Sequence, residues 1–162
     1  MQLETAQRIA DQVVEKLKPY CSRIEVAGSI RRKKSWVNDI DIVAIPSNQG
    51  QFVYALQQLG SIKLGGQKII RVARPDIELD VYVATPETWA TLLLIRTGSA
   101  AHNIGMCKLA HQKGMKLHAD GSGLFQVERA EVSTFERRIA GDTEASIFEA
   151  LGLKYKRPEE RE

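Results

Sequence analysis

Residues 28–45 read GSIRRKKSWVNDIDIVAI, and the fold turns on this stretch. A glycine-serine pair follows the short strand-like segment at 23–27, basic side chains fill 31–34, and Asp39 and Asp41 stand one residue apart in an apolar run ended by Pro46. Side chains alternate across a strand, so Asp39 and Asp41 share one face while Ile40, Ile42 and Ala44 share the other. The segment 77–83, IELDVYV, repeats the design. Its Ile77, Leu79, Val81 and Val83 form an apolar face, and Glu78, Asp80 and Tyr82 the opposite one. As neighbours with polar faces aligned, the two strands bring Asp39, Asp41 and Asp80 together.

Converging carboxylates repel and raise one another's pKa, a cost that a divalent cation between them removes. Hard oxygen donors suit Mg²⁺, with Mn²⁺ as a substitute. Two such ions about 3.5–4 Å apart stabilise both the attacking and the leaving oxygen of an in-line displacement at phosphorus. Alternation alone fits a solvated sheet face equally well. Gly28, Ser29 and Arg32 shift the balance. A glycine lets backbone approach a phosphate, a serine hydroxyl and nearby amides donate to its oxygens, and an arginine adds a charge-assisted fork. Phosphate binders and metal ligands about ten residues apart on one strand-loop-strand unit make a layout for a nucleoside triphosphate with metals. Trp36, between the arginines and the aspartates, reads as a hydrophobic lid.

The rest of the chain fits around this unit. Its 162 residues are 43% hydrophobic and 27% charged, the balance of a globular protein, and the net charge of +3 is too small to argue for a polyanion partner by itself. Basic residues nevertheless cluster at 31–34, 63–74 and near the C-terminus. No apolar stretch is long enough for a membrane span, and the N-terminus lacks the apolar core of a signal peptide, which implies a cytoplasmic protein with no membrane partner. Cys21 and Cys107 match no metal spacing and read as reduced thiols, and His102, His111 and His118 show no zinc spacing.

Helical periodicity covers 3–18, and shorter helices are expected over 51–59, from Pro86 through Ile95, and over 101–113, 132–140 and 143–151. Extended segments are expected at 23–27, 39–45, 61–64, 68–73 and 77–84, with glycine and proline turns between them. The fold class is therefore α+β with a mixed sheet: a mixed α/β core over 1–97, then a smaller α+β lobe over 98–162.

GSIRR, DIDIV and ELDVYVA together resemble the catalytic palm of the nucleotidyltransferase superfamily. The later RTGSAAHNIGMCKLAHQKGMKL, GLF, TEASIFEALGLKY and RPEERE extend the resemblance to DNA polymerase family X, the polymerase beta group, over nearly the whole chain. The resemblance implies a nucleotidyltransferase palm at 1–97 and a polymerase beta-like nucleotide-selection lobe at 98–162. The activity it implies is a DNA polymerase that adds dNMP from a dNTP to a primer 3′-hydroxyl with pyrophosphate release, filling short gaps in repair. Asp39 and Asp41 would bind two Mg²⁺ ions, and Asp80 would bind the catalytic one near the primer terminus. Ser29 and Arg32 would hold the β and γ phosphates, with backbone contact from Gly28. Gly98-Ser99 matches a step beside the incoming sugar that is often a cis peptide, and Asn103 matches an asparagine that reads the base's minor-groove edge.

Several positions depart from the family pattern. Ile95 and Arg96 stand where relatives carry aromatics against the sugar, which implies weak sugar discrimination. Cys107 stands where relatives place an arginine toward the template base, with Lys108 as a substitute, which implies modest fidelity. Glu78 replaces a basic side chain near the primer end and reads as a solvated glutamate. Arg96, His102 and Lys108 are the remaining expected sugar or nucleic-acid contacts. No helix-hairpin-helix or lyase segment precedes the first helix, so a compact form is expected, monomeric, binding primer-template or gapped DNA weakly and in a salt-dependent way. An accessory protein supplying DNA affinity goes with that expectation. The alternative is template-independent nucleotidyl transfer to RNA or DNA ends or another acceptor.

Overall fold

The two alternating segments lie side by side in the structure, a computed structural model that describes residues 1–162. The chain divides into two units, Met1–Pro86 and Glu87–Glu162. A division after residue 97 and this one differ by the helix Trp89–Thr97.

In the first unit, helix α1 (Leu3–Leu17) leads through a 3₁₀ turn (Lys18–Tyr20) into β1 (Cys21–Val26). The short helix α2 (Gly28–Arg31), β2 (Asp39–Pro46), α3 (Gln49–Gln57), β3 (Ser61–Gly65), β4 (Ile69–Ala73) and β5 (Glu78–Val83) follow. The sheet order is β1-β2-β5-β4-β3, and β2 pairs with β5 in parallel while the other pairs are antiparallel. Its apolar face is the core. Ile40, Ile42, Leu79, Val81, Ile70 and Val72 lie buried with Ala6, Ala10, Val13 and Leu17 of α1 and Phe52 and Leu56 of α3. The α1 residues recur at helical spacing and so form one stripe, whereas the strand residues alternate and leave the carboxylates on the far side. Asn48 caps α3 by accepting from Gln51 N at 3.0 Å. Burial pushes the Cys21 thiol up to about 11.

The second unit holds α4 (Trp89–Thr97), α5 (Ala100–Gln112), the antiparallel sheet β6 (Met115–His118), β7 (Gly123–Arg129) and β8 (Thr134–Ala140), then α6 (Glu144–Ala150) and a 3₁₀ turn (Pro158–Glu160). Its core joins Leu94, Met106, Ala110, Leu117, Leu124, Ala140, Ile147, Phe148 and Leu151. Thr143 caps α6 in a capping box with Ser146. Two sequence expectations change here. The segment 132–140 is largely β8 and not a helix, because a ladder along β7 outweighs local propensity, and its charges act across the sheet: Arg137 meets Glu128 at 3.5 Å and Glu136 meets His118 at 2.9 Å. Helix α4 begins at Trp89, three residues beyond Pro86, and runs on to Thr97. No helix is long and apolar enough to cross a membrane.

Candidate functional site

The local fold of the opening stretch assembles the site in the first unit. Ala27 N donates to Asp41 O at 2.8 Å, which ties the Gly28-Ser29 turn to the middle of β2. Gly28 has φ of +60°, and a Cβ there would run into the Asp41 carboxylate. Only glycine lets the turn lie against this carboxylate. The loop between turn and strand is braced by the N-terminal residues: Met1 N donates to Val37 O at 2.9 Å, Val37 N to Met1 O at 2.8 Å, and Leu3 N to Ser35 O at 3.1 Å. Ser29, Arg32, Lys34, Ser35, Trp36, Asn38, Asp39 and Asp41 line an open cavity of about 510 Å³. Trp36 is 61% exposed at this cavity.

The parallel register sets Asp41 opposite Asp80 and Asp39 opposite Glu78. Asp80 is 4% exposed, so a solvated sheet face does not describe it. The Asp39 carboxyl is held above its ordinary range, first by burial and then by the negative charges of Asp80 and Glu78, with Arg71 acting against them. Tyr82, on the same face, donates its hydroxyl to Asp41 Oδ1 at 3.4 Å. Arg71 of β4 lies opposite Asp80 and donates Nε to Oδ1 at 2.7 Å and Nη2 to Oδ2 at 3.2 Å.

The donor chemistry fits divalent cations: carboxylates from adjacent strands stand on one face, and the acidity of Asp39 is already weakened by burial and then by its acidic neighbours. As the side chains stand, no three His, Cys, Asp or Glu side chains are grouped to hold one ion, and the charge on Asp80 is met by the Arg71 guanidinium. In the sequence Arg71 stands out only as part of the basic cluster at 63–74. Its partner was nevertheless readable. A hairpin turning at Arg74-Pro75-Asp76 with Val72 opposite Leu79 necessarily sets Arg71 opposite Asp80.

In the second unit, the Gly98-Ser99 peptide is cis. Ser99 caps α5, its hydroxyl accepting from His102 N at 3.2 Å. Asn103 donates one Nδ2 hydrogen to Ile95 O at 2.8 Å, which orients the amide and leaves its second hydrogen as a donor. Arg96 is partly buried at the end of α4, while Lys108, Cys107, Gly105 and Ile104 are exposed on α5.

His102, expected at the sugar or nucleic acid, is 7% exposed with its ring 5.8 Å from that of Phe148, a packing position. Burial, then the charges of Arg161 and Lys156, lower its pKa to about 4, and its Nδ1 is buried without a partner. A depressed folded-state value means that only the unfolded chain takes up the proton between about 6.5 and about 4. The second unit should therefore lose stability as pH falls through that window and level off below it. Replacing His102 with Gln should remove this slope in melting temperatures taken from pH 7 to 3.5; an unchanged slope would assign it to other groups.

Residues 92–162 match the DNA polymerase beta thumb family. The chain is 30% identical over 165 residues to the DNA polymerase/3'-5' exonuclease PolX of Bacillus subtilis (strain 168), an alignment covering 97% of this chain and 28% of that protein. It is 29% identical over 159 residues to DNA polymerase lambda of Rattus norvegicus, covering 83% of this chain and 28% of that protein. The chain thus spans little more than a quarter of the length of either relative.

Proposed function

We propose, from the membership of this chain in family X of the DNA polymerases, that it adds dNMP from a dNTP to a primer 3′-hydroxyl with release of pyrophosphate, filling short gaps in DNA. The observation that carries this reading is the placement of Asp41 opposite Asp80, with Asp39 on the same strand face and the Gly28-Ser29 turn packed on Asp41.

In this reading Asp39, Asp41 and Asp80 hold two Mg²⁺ ions, or Mn²⁺ in their place. Bound there, the ions supply Lewis-acid stabilisation of the attacking and leaving oxygens. The protein contributes position more than covalent chemistry. Ser29 donates its hydroxyl, and Arg32 its guanidinium, to the β and γ phosphates in the cavity that both line. Gly28 keeps the turn close enough for backbone amides to share in that contact. Asp80 lies nearest the primer hydroxyl and favours loss of its proton. In the second unit Gly98, Ser99 and the Asn103 amide serve the sugar and the base edge, the amide through its second Nδ2 hydrogen, and Arg96 and Lys108 serve the sugar and the nucleic acid.

Extension of a labelled primer on gapped, open-template and single-stranded DNA, with Mg²⁺ or Mn²⁺, tests the proposal. Gap- and template-dependent synthesis lost in Asp41→Ala supports it. Equal synthesis without template favours the template-independent alternative, and none on any substrate rejects both.

Two further outcomes follow from the site. Trp36 is 61% exposed and Trp89 is 3% exposed, so dNTP binding in the cavity should quench only the solvent-exposed part of the tryptophan emission. Loss of that response in Trp36→Phe would place the signal; its persistence would move the nucleotide elsewhere. With Ile95 and Arg96 in place of aromatics, selection of dNTP over rNTP should be weaker than in relatives by about tenfold, the worth of roughly 1.4 kcal/mol of lost contact. Ribonucleotide rejection as strong as theirs in competition assays would refute this.

A further inference from the structure

Arg71 meets Asp80 in a two-point fork, Nε to Oδ1 at 2.7 Å and Nη2 to Oδ2 at 3.2 Å, so both oxygens of this carboxylate are engaged. The same Nε is 3.2 Å from Glu78 Oε1, and Lys63 Nζ is 3.9 Å from Glu78 Oε2. The two acids differ in setting: the Asp80 side chain is 6% exposed and that of Glu78 is 37% exposed, while the Arg71 side chain, at 43%, has open space beside it. Hydrogen bonding to Asp80 raises the Arg71 pKa further, so the guanidinium is a permanent cation.

We propose that Arg71 is a positioning residue, a resident counter-cation that holds Asp80 while no metal is bound and competes with a divalent cation for it. The inference rests on the metal-binding reading of Asp39, Asp41 and Asp80. A carboxylate whose two oxygens both accept from a guanidinium presents little of its lone-pair capacity to a metal, and a cation entering beside that guanidinium is repelled. When metal takes Asp80, the guanidinium moves onto Glu78, which it already touches from the neighbouring strand. Glu78 thereby gains a function that a solvated glutamate lacks: it keeps the displaced cation close and neutralised. Without metal, the same fork offsets the repulsion among the carboxylates.

Mn²⁺ binding to the full chain, read from the electron paramagnetic resonance signal of free Mn²⁺ without nucleotide or DNA, tests this independently of catalysis. Arg71→Met should bind Mn²⁺ on the order of tenfold more tightly than the unaltered chain. Arg71→Lys keeps the charge without the fork and should fall between them, which preserves the test if the Met variant does not fold. Glu78→Gln should weaken binding more when Arg71 is present than in Arg71→Met. Equal or weaker binding in both Arg71 variants, or an equal effect of Glu78→Gln in the two backgrounds, overturns the inference alone. Mn²⁺ binding that Asp80→Asn leaves unchanged overturns the metal-site reading, and the inference with it.

Discussion

Asp41→Asn is expected to lower primer extension by about a thousandfold or more while barely moving the melting temperature. A thousandfold is about 4 kcal/mol of transition-state stabilisation, in the range expected when a charged ligand of a metal-assisted displacement is lost. The fold should tolerate the change because the amide is the same size and its Oδ1 still accepts from the Tyr82 hydroxyl, 3.4 Å away. Asp80→Asn should lose activity equally but also stability, since it weakens a fork that Arg71 makes to a carboxylate 4% exposed. Gly28→Ala separates geometry from charge. It keeps every carboxylate, yet its Cβ would press on the Asp41 side chain from a backbone at φ +60°. Activity should fall with stability in that variant. Single-turnover extension alongside thermal melting distinguishes the three: an active Asp41→Asn removes Asp41 from the metal site, and a stable, active Gly28→Ala shows that the turn can move.

What the sequence disclosed about this site follows the range of the interactions involved. Asp39, Asp41 and Asp80 were legible because the two-residue period of a strand is local, and the apolar residues between them lie in the first unit's core as that period requires. Alternation alone allows a solvated far face, whereas Val43, Asp80 and Tyr82 on it are all buried. Burial on both sides of a strand depends on elements distant in the chain, which alternation within the strand does not report. The same limit explains β8. A short helix fits 132–140 in isolation, and only the ladder along β7 makes the segment a strand. Arg71 is intermediate, since a short hairpin fixes its register opposite Asp80 but a scan for chemistry-bearing motifs passes over a lone arginine in an apolar strand. Lys34, Ser35 and Asn38 enter the cavity lining only because the N-terminal residues pin their loop, a contact spanning more than thirty residues.

Arg161→Met should destabilise the second unit by about 3–5 kcal/mol, the usual cost of removing one member of a buried pair. For a unit of this size that lowers its melting transition by more than about 10 °C. The packing of the charged ending RPEERE centres on this side chain, which is 0% exposed. Its Nη1 donates to Glu144 Oε2 at 2.6 Å, its Nε to Lys156 O at 3.1 Å and its Nη2 to the Tyr155 hydroxyl at 3.4 Å, and the guanidinium lies over the rings of Phe148 and Tyr155. Methionine fills much of the volume but returns none of these bonds, and Glu144 at the start of α6 loses the guanidinium it faces. If that stranded charge is the main cost, Arg161→Met combined with Glu144→Gln should recover part of the loss; if shape is the main cost, the double variant should be no better than the single. Function is coupled to this lock through the backbone, because Ser99 N donates to Arg161 O at 3.4 Å. Below its lowered transition, Arg161→Met should therefore show a raised KM for dNTP with a smaller change in kcat, since the affected contact belongs to the segment proposed to bind the sugar. Unchanged melting would mean that the last residues are not part of the core, and an unchanged KM would separate the tail from the nucleotide.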